Sequence, residues 1–285
     1  MRADMFTPFT LNIGGTLYEF SRPQVMGILN ITPDSFYAQS RSFDVQSIKS
    51  MVECLVDNGA DMIDVGAYSS RPGADNISEK EELRRIEMGM KAIRDINSDI
   101  IVSIDTFRAN VARESITNLG ANIINDISGG NLDDNMFQTI ATLNVPYILM
   151  HMRGTPTSMS SLTGYDNVTV ETIQDLSHKV KALSLLGVND IIIDPGFGFA
   201  KTQQQNFELL QNLSSFKILG CPILVGISRK SMIYKSLGIT PDNALNGTTV
   251  LNTLALTKGA SILRVHDPRE AREAIKLLQI TYNIK

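Results

Sequence analysis

The chain of 285 residues is long enough for one (β/α) barrel of about 250 residues or for two modest domains. With 43% apolar and 20% charged residues, its composition is that of an ordinary globular enzyme. The net charge of −4 and the scattered basic residues exclude the clustered basic face of a nucleic-acid-binding protein. Two cysteines without metal-type spacing, an N-terminus unlike a leader and no apolar run of about 18 residues predict a cytoplasmic protein without a membrane span.

The first predicted element is a β-hairpin over residues 10–20, where apolar and polar residues alternate around Gly14–Gly15, a favoured two-residue turn. Beyond it, eight short apolar segments alternate with helical patterns, as in a parallel sheet with crossover helices. The predicted barrel strands cover residues 25–29, 62–65, 100–104, 123–124, 146–150, 191–193, 223–225 and 262–265.

Helical periodicity and end signals predict helices between these strands. They cover residues 45–58, 78–96, 133–143, 168–186 and 243–258, with one more helix ending at Gly120 and a last one opening at Asp267–Pro268. Ser78 and Glu81 form a predicted capping box. The eightfold alternation predicts a single α/β domain over residues 1–285, a (β/α)8 TIM barrel whose N-terminal hairpin closes the bottom. A doubly wound open sheet is the alternative.

Polar residues stand at or near the ends of most predicted strands, where a parallel barrel builds its active site. These residues are Asn30, Asp64, Asp105, Asn125, Asp194, Arg264 and His266. The strand before Asp194 shows the pattern most clearly, because three isoleucines run directly into the carboxylate and then into the glycine-rich PGFGF. An aspartate at this place can also cap a following helix. That alternative stays open for Asp105, but it explains Asp194 poorly because Pro-Gly follows.

Eight motifs stand in order from residue 26 to residue 267: MGILNITPDSF, DVGAYSSRPGA, SIDTF, NDISGG, HMRGTP, DPGFGF, GISRKS and RVHD. In these motifs the chain resembles the dihydropteroate synthase family of pterin-binding TIM barrels. The resemblance implies a transferase of folate biosynthesis that condenses 6-hydroxymethyl-7,8-dihydropterin diphosphate with 4-aminobenzoate to give 7,8-dihydropteroate and pyrophosphate. It also implies Mg²⁺ as cofactor, a homodimer, and sulfonamides as competitive inhibitors.

The resemblance assigns pterin binding to two carboxylates, an amide, a lysine and two apolar residues: Asp105, Asp194, Asn125, Lys230, Ile127 and Met150. The residue types suit a pterin ring, because a carboxylate can accept from two adjacent ring donors and an amide can both donate and accept. Read without the family, Lys230 in GISRKS would be a solvated helix start. Ile127 and Met150 would then be ordinary core residues.

The residues predicted to bind pyrophosphate are Asn30, Arg264 and His266. Cations and fixed donors such as these stabilise the charge that develops on a leaving oxygen. Arg264 and His266 alternate along one strand and therefore share a face. The Asn30 carbonyl suits Mg²⁺, a hard ion. The resemblance adds Ser70 to this group and implies catalytic roles for Arg264, His266, Lys230 and Asn30. A surface salt bridge and a structural histidine are the alternatives for Arg264 and His266.

The resemblance places 4-aminobenzoate among residues of several loops: Phe36, Ser70, Arg71, Pro72, Phe199 and Ser228. One departure concerns Ala38, which stands where the family commonly has an acid that helps to close the first loop over metal and pyrophosphate. Two other functions therefore stay open. Ala38 favours a non-catalytic pterin-binding paralogue. A pterin-dependent methyltransferase domain shares the barrel, although it would not need TPDSF, SSRPG and SRKS together.

Overall fold

The computed structural model describes residues 6–32, 45–68 and 77–283 of the chain. Its first two strands, β1 (Phe9–Ile13) and β2 (Thr16–Phe20), form the predicted antiparallel hairpin. Gly14 and Gly15 make the turn with φ angles of 60° and 85°, a backbone that glycine adopts without steric strain.

Eight parallel strands follow and form the barrel. They are β3 (Gln24–Asn30), β4 (Met62–Gly66), β5 (Ile101–Asp105), β6 (Ile123–Asp126), β7 (Tyr147–Met150), β8 (Ile191–Asp194), β9 (Leu224–Val225) and β10 (Ile262–Val265). Their order in the sheet is β8-β7-β6-β5-β4-β3-β10-β9, with each neighbouring pair parallel. A bridge between Ile193 and Ile223 joins the two ends of this order and closes the ring. The predicted TIM barrel is therefore confirmed, and the open doubly wound sheet is wrong.

Helices surround the barrel between its strands. They are α1 (Val45–Asp57), α2 (Glu79–Ile96), α3 (Ala109–Thr117), α4 (Met136–Leu143), α5 (Val168–Leu185), α6 (Gln203–Gln211), α7 (Ser231–Leu237), α8 (Leu245–Thr257) and α9 (Pro268–Tyr282). Only half of the predicted capping box forms at the start of α2: Ser78 Oγ accepts from the Glu81 N–H at 3.2 Å, but the Glu81 carboxylate pairs with Arg84 and Arg85. In the described parts of the chain, no helix is both long and apolar enough to cross a membrane.

The prediction missed two of these helices, α6 and α7. Thr202 begins α6 with a complete capping box: its hydroxyl accepts from the Gln205 N–H at 3.2 Å, and the Gln205 side chain accepts from the Thr202 N–H at 2.8 Å. A threonine followed three residues later by a glutamine is a sequence signature of a helix N-terminus, so the start of α6 could have been predicted. Helix α7 has only seven residues and begins directly after the site residue Lys230. Its shortness leaves little helical periodicity in the sequence.

The hairpin closes the bottom of the barrel, as predicted. Its buried side chains Leu11, Ile13 and Phe20 pack in one apolar cluster with residues near the strand starts: Met26, Met62, Ile123, Ile148, Ile192, Leu224 and Ile262. Burial of such side chains stabilises the fold by about 1.5–3 kcal/mol each. The Asn12 N–H also donates to Asp190 Oδ1 at 3.0 Å, which ties the hairpin to the chain just before β8. Because this end is filled, the opposite end of the barrel is left for a site.

Candidate active site

A cavity of about 260 Å³ opens where the barrel strands end. All predicted site residues that the structure describes line it: Asn30, Asp105, Asn125, Ile127, Met150, Asp194, Phe199, Ser228, Lys230, Arg264 and His266. The sequence gives no pairing between these residues, which are spread over more than two hundred positions. Closure of the barrel brings them together, because parallel strands all end on the same side.

Some predicted residues cannot be placed. Phe36, Ser70, Arg71 and Pro72, together with the departure at Ala38, lie outside the described residues.

Four residues at the base of the cavity form a charged and polar group, the floor network: Asp64, Asp105, Asn125 and Arg264. Arg264 Nε donates to Asp64 Oδ2 at 2.6 Å, and Arg264 Nη2 donates to Asp105 Oδ2 at 2.9 Å. Asn125 Nδ2 donates to Asp64 Oδ2 at 3.0 Å. The arginine thus bridges two carboxylates, and the amide of Asn125 is oriented by one of them. These partners are buried or half-buried, so the surface-salt-bridge alternative for Arg264 is wrong.

Asp105 does not cap a helix. The N-cap residue of α3 is Arg108, and the first N–H of that helix, on Ala109, donates to Asp133 Oδ2 at 2.8 Å. The Asp105 carboxylate points into the barrel instead, toward Arg264. The capping alternative for Asp105 is therefore wrong.

Asp64 is a residue of the site that the motifs did not assign. It is fully buried in β4 between Ile63 and Val65, and its carboxylate holds both Arg264 and Asn125. A carboxylate inside a continuous apolar strand was a visible signal, because buried charges are retained where they are paired.

Lys230 and Asp194 stand on the other side of the cavity. Asp194 Oδ1 accepts from the Gly196 N–H at 2.7 Å. Lys230 Nζ donates to the Phe197 carbonyl and lies 4.6 Å from the centre of the Phe199 ring, within range of a cation–π contact. Lys230 stands at the start of α7, as the alternative interpretation expected. Its side chain, however, lines the cavity, so its ammonium group is not solvated in the way that interpretation implied.

Burial shifts the pKa values of the charged groups in the cavity. It raises the pKa of Asp105 to about 7, although Arg264 acts in the opposite direction, and it also raises the pKa of Asp194. Burial lowers the pKa of Lys230 to about 8, and the Asp194 carboxylate opposes this effect. For Arg264 the two neighbouring carboxylates outweigh burial, so its pKa is raised. Perturbed titratable groups that share one cavity are typical of a functional site.

Ser228 and His266 lie together at the rim. Ser228 Oγ is 3.0 Å from His266 Nδ1, and it accepts from the His266 N–H at 3.2 Å. The hydroxyl is thereby held in one orientation. The neighbouring Arg229 forms a two-bond ion pair with Asp267, at 2.9 and 2.7 Å.

Comparison with known proteins decides the family. Residues 26–266 match the model of the family described as "Pterin binding enzyme". The dihydropteroate synthase of Clostridium beijerinckii is 42% identical over 262 residues, which cover 91% of this chain and 94% of that protein. The chain belongs to the dihydropteroate synthase family.

Two solved structures of the family superpose on nearly the whole barrel. The Xanthomonas albilineans dihydropteroate synthase with 4-aminobenzoic acid is 33% identical and covers 98% of this chain and 100% of its own, with a TM-score of 0.89. The Yersinia pestis dihydropteroate synthase in a sulfonamide drug complex is 35% identical and covers 97% and 100%, with the same TM-score of 0.89. The predicted family, fold and enzyme class are confirmed: dihydropteroate synthases are transferases of folate synthesis. The likenesses favour the synthase over the methyltransferase domain.

Proposed function

We propose that this cavity condenses 6-hydroxymethyl-7,8-dihydropterin diphosphate with 4-aminobenzoate to give 7,8-dihydropteroate and pyrophosphate. The observation that carries the proposal is the convergence of Asp105, Asn125, Asp194 and Lys230 in one cavity of a dihydropteroate synthase family member. A partly apolar cavity with a few convergent polar groups suits a flat polar ring.

The pterin ring would lie between these polar groups. The Asp194 carboxylate can accept from a ring N–H and from the exocyclic amine next to it, and Lys230 can donate to ring nitrogen or oxygen. Asn125, oriented by Asp64, supplies an amide that both donates and accepts. Ile127 and Met150 are buried lining residues and would pack on the ring faces.

The reaction is a substitution at the CH₂ group that carries the diphosphate. Electron donation from the dihydropterin ring stabilises positive charge on this carbon, so the C–O bond can break ahead of attack by the aniline nitrogen. The protein therefore has to position two substrates and stabilise the departing pyrophosphate, with no nucleophilic side chain. In the described parts of the chain, two of the five N–H groups of Arg264 bind carboxylates, which leaves donors for a phosphate oxygen. His266 would contribute from the rim.

4-Aminobenzoate would lie between the rim and the loop after β8. The Ser228 hydroxyl, oriented by His266, suits its carboxylate, and the Phe199 ring suits its aromatic face. Sulfonamides share the aniline group of this substrate and would compete for the same place, as the sulfonamide complex of the Yersinia pestis relative supports.

Mg²⁺ would bind beside the diphosphate of the pterin substrate. The Asn30 amide oxygen stands at the end of β3, 3.1 Å from the point where a Cβ on Gly66 would lie, so a larger residue at 66 would press on this oxygen. Among the described residues, no group of three or more His, Cys, Asp or Glu could hold a metal by itself. The residues present therefore fit an ion bound by Asn30 together with substrate phosphate oxygens and water, a donor set that Mg²⁺ accepts. The ion would neutralise charge on the leaving pyrophosphate.

A cytoplasmic homodimer completes the proposal. Exposed apolar side chains on α8 and α9 form the surface that a second copy would cover: Val250, Leu254, Leu277 and Ile280. Val250 and Leu254 lie four positions apart on α8, and Leu277 and Ile280 lie three apart on α9, so each pair shares a face of its helix. Exposed apolar faces of this kind can mark interaction surfaces.

The function is tested by incubating the purified protein with the dihydropterin diphosphate, 4-aminobenzoate and Mg²⁺, and by omitting each substrate in turn. We expect pyrophosphate and dihydropteroate in equal amounts, and only when both substrates are present. Tight pterin binding by the folded protein without any dihydropteroate would instead support the non-catalytic paralogue.

The pH dependence of kcat/KM for the pterin substrate is expected to be bell-shaped. Asp105 accepts hydrogen bonds as a carboxylate, so activity should rise as pH passes its pKa of about 7. Lys230 donates as an ammonium, so activity should fall as pH passes its pKa of about 8. The matched variant is K230R, whose guanidinium stays charged over this range. The alkaline limb should disappear in K230R, even at a lower overall rate; an unchanged limb would contradict the assignment to Lys230.

A further inference from the structure

A lysine that the proposed mechanism does not use is buried behind the cavity wall. Lys201 is 9% exposed, and its Nζ lies 3.0 Å from each of three acceptors: the carbonyls of Gly196 and Phe199, and His151 Nδ1. An ammonium group has three N–H donors, so these partners saturate it. A lysine following a loop is usually solvated, and burial of its charge is unfavourable unless the partners are as complete as these.

His151 is suited to its part as acceptor. Burial and the Lys201 charge lower the pKa of His151 to about 2, so its ring is neutral and Nδ1 can accept. The His151 N–H donates to the Asp194 carbonyl at 3.0 Å, and a Cβ on Gly196 would lie only 2.0 Å from the His151 carbonyl oxygen. The end of β7, the end of β8 and the loop after β8 therefore approach one another closely at Gly196, beside Lys201.

The loop that Lys201 binds, residues 195–200, also holds the main contacts of Lys230. From the cavity side, Lys230 binds the Phe197 carbonyl and lies over the Phe199 ring. From the opposite side, Lys201 binds the carbonyls of Gly196 and Phe199. The loop is thus held between two ammonium groups, one of which faces the substrates.

The loop backbone needs such support. Ala200 has a φ of 49°, in the left-handed region that a non-glycine residue adopts at a conformational penalty. A residue in this region keeps its conformation when the surrounding contacts enforce it. Lys201, the next residue, binds the carbonyls of Gly196 and Phe199, which both precede Ala200, and so bridges the strained position.

We propose that Lys201 is a positioning residue that holds loop 195–200 and, through it, places Phe199 and Lys230 against both substrates. Lys201 itself does not line the cavity, so it acts through the loop. The inference rests on the proposed function, because that function gives Phe199 and Lys230 their substrates.

The test is K201M, which keeps an unbranched side chain only one atom shorter and removes the three donors. We expect the KM for 4-aminobenzoate and the Kd for the dihydropterin diphosphate both to rise by about tenfold or more, because small displacements of positioning groups have effects of this size. K201R retains the charge and two parallel donors for the two carbonyls. It should recover both constants to within a few-fold of the wild-type values.

The control is K179M. Lys179 is also mostly buried near His151, but it pairs with Asp175 within α5, at 3.0 Å. K179M should leave KM and Kd unchanged even if its melting temperature falls. A folded K201M with wild-type KM and Kd would overturn the inference. If K201M does not fold, K201Q takes its place: raised constants support the inference, and wild-type constants overturn it. Wild-type protein that binds the pterin but makes no dihydropteroate would overturn the proposed function, and the Kd comparison would still decide the role of Lys201.

Discussion

Replacement of Asp194 with asparagine is expected to weaken binding of the dihydropterin by about 100-fold. The change keeps the shape of the side chain but turns a carboxylate oxygen into an amide donor that faces the ring N–H groups. Hydrogen bonds to a charged group contribute about 1.5–3 kcal/mol each, and about 1.4 kcal/mol corresponds to a factor of ten in affinity. The remaining amide oxygen can still accept from the Gly196 N–H, so the loop after β8 should keep its conformation. The Kd measured by calorimetry and the KM for the pterin substrate check this result.

The matched control for D194N is D190N, an identical change at the other end of β8. Asp190 binds the Asn12 N–H at the closed bottom of the barrel, far from the cavity. The amide oxygen of D190N can still accept from the Asn12 N–H, so this variant should fold normally and leave pterin affinity unchanged. If D194N bound the pterin with wild-type affinity, the assignment of Asp194 to the pterin site would be wrong.

Replacement of Arg264 with methionine is expected to reduce kcat/KM by about 100- to 1,000-fold, the size seen when a preorganised charge-stabilising group is lost. The structure adds a second effect. Without the guanidinium, Asp64 and Asp105 lose their shared partner, and removal of one member of a buried ion pair destabilises a protein by about 3–5 kcal/mol. R264M should therefore also unfold at a lower temperature than the wild type.

Binding constants separate the two effects of R264M. The Kd for the dihydropterin diphosphate should rise more than the Kd for the same pterin without its diphosphate, because Arg264 is assigned to the phosphate oxygens. The control is R272M, which breaks a comparable ion pair with Asp61, at 2.6 Å, outside the cavity. R272M should lower the melting temperature without changing the ratio of the two Kd values. An R264M enzyme with normal turnover would contradict the assignment.

The barrel could be predicted from the sequence because each barrel strand is a short apolar run that ends at a polar residue or a glycine, or is followed directly by one. The apolar side chains of the hairpin pack with those at the strand starts in one cluster. The alternation of apolar and polar residues around Gly14–Gly15 already indicated that the hairpin has an apolar face. The prediction missed α6, whose sequence QQQNFELLQ has few apolar residues, although the capping pair Thr202 and Gln205 marked its start.

The site could be predicted as a set of residues but not as a network. Asp64 and Arg264 are 200 positions apart, and no local pattern predicts their 2.6 Å contact, which depends on strands β4 and β10 both flanking β3 in the closed ring. The shared face of Arg264 and His266 was predictable from the period of a strand, but the carboxylate partners of Arg264 were not. The role of Lys201 could not be predicted for a related reason: its burial depends on His151 at the end of β7, which is distant in the sequence.

The central claim is that the polar strand ends of this barrel hold a pterin ring. A crystal structure of the protein with the dihydropterin diphosphate, or with a stable pterin analogue, tests this claim most directly. We expect the ring inside the cavity, with hydrogen bonds from its donor edge to Asp194, a bond from Lys230, and contacts to Asn125 and Asp105. A pterin bound elsewhere on the molecule, with this cavity holding only solvent, would contradict it.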